Sequence, residues 1–528
     1  MSSSPQPRLR DSLLRDIDAT RLWDVVVIGG GATGLGTAVE AASRGYRILL
    51  LERGDFAEGT SSRSTKLVHG GVRYLEQMNL RLVLDALRER GYMLRNAPHL
   101  VHKLDFVIPA YSYASLPYYG LGLKLYERLS GKLSFGPTEL LSRADTLARL
   151  PTLESQLLRG GILYRDGQFD DARYAIALMR TLEDLGGTAL NYAEVTGLLK
   201  RDGKIEGLQF TDCETGDTRD VLARVVINAT GAFTDTLLRM DDPSETPPLA
   251  ISQGSHFVLS PDLLPSASAL MIPKTSDGRV LFAIPWHAHL LVGTTDVPVN
   301  DSASEPHASP SETGFLTSHI RKYLGRSLQP ADVLSMWSGL RPLVRSTANA
   351  ATAKLSRDHR ITLSPSGLVT VIGGKWTTYR KMGEDTLDRA IEIGSLPHAP
   401  SRTADLKLHG WQPSPQPGTE EPEVLYGSDL DHLRALSKEH PDWNDLLHPQ
   451  LPYRKRDVIW AARHEHARTV ADVLARRTRA LFLNARATLD IADVVSRLLA
   501  VELGTDEAAR LRDLERFRTI ASGYIFAG

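Results

Sequence analysis

The sequence predicts a chain of α/β plus α+β class: a doubly wound parallel-sheet domain, an antiparallel-sheet domain and a C-terminal helical domain. Three observations predict this. The β-branched run from Asp24 to Ile28 ends in three glycines and is followed by apolar residues at helical spacing up to Arg44. Apolar runs with aromatic residues and turn signals recur between Gly254 and Gly293, as in an antiparallel sheet. From Arg454 to Phe517 apolar residues return at helical spacing among many arginines and glutamates.

The first unit reads as strand, tight turn and helix, and a second apolar run, Ile48 to Leu51, closes on Glu52. That is a βαβ unit of the usual ~30 residues, with a right-handed crossover expected. Later strands at Leu222 to Ile227 and Leu368 to Ile372 run into Asn228-Ala229-Thr230-Gly231 and Gly373-Gly374-Lys375. They are expected to complete the first domain, assembled from residues 21–105, 155–240 and 335–400. The runs Gly254 to Leu259, Val280 to Ile284 and Leu290 to Gly293 are assigned to a second domain, residues 106–154 and 241–334. The proline-rich, acidic stretch Trp411 to Glu423 suits an extended linker within 401–425, leaving 426–528 as the helical domain.

Composition narrows the function. A chain of 528 residues accommodates two or three domains. Sixty-two Lys and Arg against 63 Asp and Glu give a net charge of -1, which removes any global electrostatic argument for a nucleic-acid partner. The single cysteine, Cys213, excludes an intramolecular disulfide or a CxxC site and reads as inert. Residues 1–20 lack a secretory apolar stretch and read as a flexible leader. No uncharged apolar run reaches the ~18 residues a bilayer-crossing helix needs, so membrane contact is expected to be peripheral.

Gly29-Gly30-Gly31-Ala32-Thr33-Gly34 fits GxGxxG directly after a strand and before a helix, the context the motif requires. Gly29 permits the sharp turn, Gly31 lets backbone N–H groups approach a pyrophosphate, and Gly34 lets the helix pack closely. The helix N-terminus adds a favourable dipole. Glu52 ends the second strand, where a carboxylate accepts from ribose hydroxyls and repels a 2′-phosphate; FAD or NAD fits and NADP does not. After it comes a polar, glycine-bearing stretch, Gly59 to Tyr74, too long for an ordinary loop and suited to a cofactor.

At this stretch the sequence closely resembles the FAD-dependent glycerol-3-phosphate dehydrogenases of the respiratory, aerobic type. The resemblance continues in order through Asn228-Ala229-Thr230-Gly231, Gly254-Ser255-His256, Gly293-Thr294-Thr295-Asp296, Ser338-Gly339-Leu340-Arg341-Pro342-Leu343, Ser356-Arg357-Asp358 and Gly373 to Arg380. It covers about Trp23 to Arg389, with weaker helical similarity over Arg454 to Phe517. It implies a glutathione-reductase-like domain holding FAD non-covalently through Gly29, Gly30, Gly31, Gly34, Glu52, Thr60, Ser61, Ser62, Lys66, Leu67, His69, Gly70, Gly71, Gly231, Gly374, Lys375 and Thr378. It further implies hydride transfer from C2 of glycerol 3-phosphate to the flavin, giving dihydroxyacetone phosphate. Arg341 and Arg357 can present planar forks to the phosphate. Arg73, Tyr74 and Lys375 align with positions around substrate and flavin, where a cation also favours reduced flavin.

His256 is the candidate base, with Arg341 and Lys375 as catalytic partners, although a lone histidine also has an ordinary structural reading. The family implies electron transfer to quinone, a peripheral seat on the cytoplasmic membrane and a homodimer. Leu116 to Leu129 combines aromatic, leucine and basic residues as an interfacial helix does, or packs into the core. Alternatives are a glycerol-3-phosphate oxidase reducing dioxygen, an amine or amino-acid oxidase, and a non-catalytic flavoprotein. The modest loop from Asn300 to Glu312 leaves little room for an oxidase-type insertion, and no DxDxDG calcium loop is present. His464-Glu465-His466 lacks metal-site spacing and reads as solvated helix surface; Arg476-Arg477-Thr478-Arg479 reads as a solvated face or interdomain ion pairs.

Overall fold

The strand Trp23–Ile28 runs parallel to Ile48–Leu51 on one side and to Thr218–Asn228 on the other. The chain is a computed structural model describing residues 10–71, 80–245, 248–275, 278–300, 302–345, 359–416 and 418–528. Among these the first sheet runs His359–Leu363, Val369–Gly373, Thr218–Asn228, Trp23–Ile28, Ile48–Leu51, Thr188–Leu190, with Ala193–Arg201 and Lys204–Asp212 attached as an antiparallel ribbon. Alternate residues of the central strand enter two cores. Val25 and Val27 pack with the helices Ala32–Ser43, Asp171–Asp184 and Tyr379–Gly394, whereas Val26 and Ile28 pack with Leu13, Leu14 and Ile17. Burial on both faces is why the strand is continuously apolar rather than alternating.

Leu13, Leu14 and Ile17 belong to a helix, Arg10–Ala19, so residues 10–19 are not the flexible leader expected. Their apolar residues share one helical face and find an uncovered face of the sheet. Arg10 fixes the helix by donating to Asn191 O, Tyr192 O and Asp212 Oδ1 at 2.8, 3.1 and 2.7 Å.

The second sheet follows the order Val297–Val299, Leu249–Leu259, His289–Gly293, Leu281–Trp286, Ala269–Ile272, Val101–Ala110, Gly160–Phe169, Leu67–Val68. Val333–Val344 pairs with Leu249–Leu259, and Glu139–Ser142 with Gly160–Phe169. Strand Gly160–Phe169, the first half of Val101–Ala110, Leu67–Val68 and all but the first two residues of Val333–Val344 were expected in the first domain and instead build this sheet. Nine of the ten residues of Gly160–Phe169 are buried, Asp166 and Gln168 among them, so its sequence lacks the alternation that marks an antiparallel strand.

The C-terminal helices Lys455–His464, Ala485–Leu503 and Glu507–Ser522 do not form a detached unit. Val458, Leu474, Phe482, Ile491 and Phe517 share one apolar core with Leu67, Phe106, Tyr164 and Trp337 of the second sheet. The proline-rich stretch is likewise seated on the protein: Trp411 Nε1 donates to Arg95 O at 3.0 Å, and Glu421 meets His287 Nδ1 at 2.7 Å. Side chains within it anchor it to the protein.

Candidate active site

A cavity of about 650 Å³ lies where the two sheets meet, running from Glu52 to Lys375. The glycine turn forms its floor. Gly29 has φ +111°, and a Cβ there would stand 2.7 Å from Ala229 O; a Cβ on Gly34 would stand 1.8 Å from Gly29 O. Only glycine lets the helix Ala32–Ser43 approach the turn so closely. Gly30 N and Gly54 N donate to the two oxygens of Glu52 at 2.6 and 2.9 Å. Each oxygen keeps a lone pair for ribose hydroxyls. Burial pushes the Glu52 carboxyl up, opposed by these two N–H bonds.

These features fit FAD: a glycine cradle at a helix N-terminus, a held carboxylate, and a cavity extending to the second sheet. Gly29, Gly31, Glu52, Thr60, Ser61, Leu67, His69, Gly231, Gly374 and Lys375 line the cavity, as do His256 and Arg341. Ser61 Oγ accepts from Ala32 N at 2.9 Å, and Thr60 Oγ1 donates to Leu340 O at 2.7 Å, so Thr60 also ties its segment to the second sheet at the cavity wall.

Gly30, Gly34, Ser62, Lys66, Gly70, Gly71 and Thr378 stand outside the lining. Gly30 and Gly34 serve the turn from behind. Gly70 N donates to Tyr126 Oη at 2.7 Å, Gly71 has φ +77°, and Thr378 Oγ1 donates to Lys375 O at 3.2 Å. Ser62 is buried. The side chain of Lys66 points away from the cavity: its ammonium donates to Asp171 Oδ2 and Ser62 O at 2.7 and 2.6 Å. A cofactor contact through the Lys66 side chain is thereby corrected to a buried ion pair. Burial pulls the Lys66 ammonium down to about 7, against the pull of Asp171. Arg73, Tyr74 and Arg357, expected substrate ligands, lie outside the described residues.

His256 is on the strand Leu249–Leu259 and only 2 % exposed. Its ring stacks on Trp337 with centroids 4.0 Å apart, and a Cβ on Gly293 would collide with it at 2.1 Å. Nε2 lies 3.0 Å from Thr65 Oγ1. Burial, then the charges of Arg341 and Lys66, hold the imidazole well below its ordinary value, so it is neutral near pH 7. Arg341, on Val333–Val344, donates to Thr295 O, Asp296 Oδ1 and Thr294 Oγ1 at 3.1, 3.3 and 3.0 Å. The fork is thus aimed by the Thr294-Thr295-Asp296 turn while its side chain stays a quarter exposed.

Sequence reasoning missed Thr65, Trp337 and Glu312. Glu312 is buried and accepts from Ser255 Oγ and Thr295 Oγ1 at 2.8 and 2.6 Å, tying the His256 strand to the turn that aims Arg341. Its signal was present in Ser309-Pro310-Ser311-Glu312, a capping box that opens the helix Pro310–Leu324.

The cluster of arginines is also placed. Arg476 and Arg477 are buried against Asp55, beside the cavity. Glu465 is buried against Arg173 at 2.7 Å and His466 Nε2 lies 2.9 Å from Glu183, so that segment is not solvated surface. Among the described residues no group of three or more His, Cys, Asp and Glu side chains could hold a metal ion.

A family model described as FAD dependent oxidoreductase matches residues 24–380, and one described as the C-terminal domain of alpha-glycerophosphate oxidase matches residues 423–510. The mitochondrial glycerol-3-phosphate dehydrogenase of Homo sapiens is 38% identical over 97% of this chain and 75% of its own length. That of Arabidopsis thaliana is 37% identical over 98% and 88%. The crystal structure of glycerol-3-phosphate dehydrogenase from Bacillus halodurans complexed with FAD superposes with a TM-score of 0.79 at 28% identity, covering 98% of both chains. With the glycine cradle, the held carboxylate and these relatives in agreement, the chain belongs to the FAD-dependent glycerol-3-phosphate dehydrogenases.

Proposed function

We propose that the chain oxidises sn-glycerol 3-phosphate to dihydroxyacetone phosphate and passes the electrons to a membrane quinone. The observation that carries this reading is the convergence of a neutral His256 and the aimed guanidinium of Arg341 on the cavity wall opposite the glycine cradle. Bound FAD supplies a hydride acceptor. Arg341 would pair with the substrate phosphate, and Lys375, which follows Val369–Gly373 of the first sheet and also lines the cavity, would add positive charge where negative charge develops. His256 would take the C2 hydroxyl proton.

Anaerobic mixing of the yellow holoprotein with glycerol 3-phosphate is expected to bleach the flavin band; no bleaching would overturn the substrate. A quinone analogue is then expected to restore the band faster than air does. The oxidase reading has its own support in the C-terminal match to alpha-glycerophosphate oxidase, and rapid reoxidation by air with peroxide would favour it.

The membrane part of the reading rests on the helix Ser115–Ser130. Leu123 and Tyr126 are buried, whereas Tyr118, Leu121 and Leu125 are exposed at helical spacing, with Lys124 and Arg128 beside them. An apolar stripe flanked by cations suits peripheral docking, which is proposed for the cytoplasmic membrane surface, with a homodimer as the working unit. Among the described residues no helix is long and apolar enough to cross a membrane. The double substitution Leu121→Glu with Leu125→Glu is expected to lower binding to anionic vesicles at least about tenfold, since each leucine loses roughly 1.5–3 kcal/mol of burial. Unchanged co-sedimentation would remove this helix from the docking surface.

A further inference from the structure

Thr65 and His256 both line the cavity, Thr65 half-buried and His256 only 2 % exposed. The 3.0 Å contact between Thr65 Oγ1 and His256 Nε2 is made across 191 residues of sequence, and the ring is clamped by Trp337 on its face and Gly293 at its edge. Nδ1 of the same ring is buried without a hydrogen-bond partner among the described residues. With Nε2 engaged by Thr65 and Nδ1 buried, the threonine hydroxyl is the group that links the cavity to the ring nitrogens.

We propose that Thr65 relays the proton of the substrate's secondary hydroxyl to His256, an inference that rests on the reaction proposed above. In the step, the C2 hydroxyl O–H bond breaks and its proton passes to Thr65 Oγ1. The proton Thr65 carried moves to His256 Nε2. The C2–H bond breaks with its electron pair, which goes to the bound flavin as hydride, and the C2–O bond becomes a carbonyl. Threonine ends with one proton, as it began, and the imidazolium later releases its proton to solvent.

The charged groups around the ring set its resting protonation, since cations disfavour the imidazolium. Arg341 faces it from Val333–Val344 and Lys66 from the segment before Leu67, and the anionic Asp171 beyond Lys66 is engaged by Lys66 and Arg479. The strand His289–Gly293 presents only Gly293 and the Trp337 face carries no charge. A cationic surrounding keeps the resting imidazole unprotonated and ready to accept.

The relay requires Thr65 to donate to Nε2, which fixes the Nδ1–H tautomer of His256. Nitrogen-15 NMR of histidine-labelled oxidised holoprotein, with the His256 signal identified by its loss in His256→Asn, is expected to show that tautomer at pH 7. An Nε2–H tautomer would overturn the proposal without reference to turnover. Anaerobic stopped-flow reduction across pH supplies the second arm. Thr65→Val is expected to slow flavin reduction by about 10²-fold or more, the range of acid–base contributions, with FAD content and KM for glycerol 3-phosphate nearly unchanged. Thr65→Ser is expected to restore most of the rate and the wild-type pH profile. A valine variant that keeps the wild-type rate and low-pH limb overturns the relay, as does a folded serine variant as slow as valine. Wild-type flavin that glycerol 3-phosphate does not bleach strikes the reaction itself, while the tautomer still decides whether Thr65 donates to the ring.

Discussion

Asp55→Asn is expected to lower the melting temperature of the holoprotein by roughly 3–5 °C, the shift that about 3–5 kcal/mol produces in a large chain. Asp55 is fully buried. Its Oδ2 accepts from Arg476 Nε and from Arg477 Nη1, the latter at 2.5 Å, and Oδ1 accepts from Arg477 Nη2 at 2.8 Å. Asparagine keeps the shape and removes the charge, leaving two buried guanidinium groups with Asp472 as the nearest remaining counter-charge. The damage reaches function because Asp55 lies three residues after Glu52, so the pair ties the C-terminal segment to the ribose end of the cavity. Loss of FAD on gel filtration should accompany the thermal change, and adding Arg477→Gln should recover part of both. A melting temperature within a degree of wild type would show that the cluster is replaceable.

The same group sets an acid limit. The charges of Arg477 and Arg476 outweigh burial and hold the Asp55 carboxyl down at about 2. A depressed carboxylate contributes stability that is fully present above its unfolded value near 4 and is lost as pH falls through its folded value. The stability gap between wild type and Asp55→Asn should therefore be constant from neutrality to about pH 4 and narrow between 4 and 2.

How much of this was legible depends on sequence distance. The turn Gly29 to Gly34 and Glu52 were readable because strand, glycines, helix and carboxylate lie within one βαβ unit and each has a local steric or electrostatic reason. Arg476 and Arg477 were recognisable as charges, but their partner lies 421 and 422 residues away, and nothing local distinguishes a buried arginine from a solvated one. Thr65 belongs to a stretch recognised as cofactor-facing, yet its meaning depends on His256, which only the pairing of distant strands brings within hydrogen-bond reach. Lys66 misled for the same reason, since its neighbour in sequence faces the cavity and Lys66 itself faces Asp171. The domain boundaries failed where strands buried on both faces lost the alternation that marks an antiparallel sheet.

Arg341→Ala is expected to lower kcat/KM for glycerol 3-phosphate about 10²-fold, chiefly through KM, with the FAD content of the purified protein unchanged. A charge-assisted pair with a phosphate contributes roughly 1.5–3 kcal/mol, which converts to a factor of about ten to 150. Arg341 is held ready for the proposed contact. Three hydrogen bonds to Thr294, Thr295 and Asp296 hold the guanidinium against the strand, over Gly254, where a Cβ would stand 2.2 Å from Nη2. The glycine therefore makes room for the fork, and Gly254→Ala is expected to reproduce part of the KM effect without touching the charge. Arg341→Lys keeps a cation but loses the planar geometry, so it should recover only a fraction of the affinity. Because the arginine charge also helps hold His256 unprotonated, the alanine variant should shift the low-pH limb of flavin reduction toward higher pH. A raised KM with an unmoved limb would confine Arg341 to phosphate binding. An unchanged KM would place the phosphate elsewhere in the cavity.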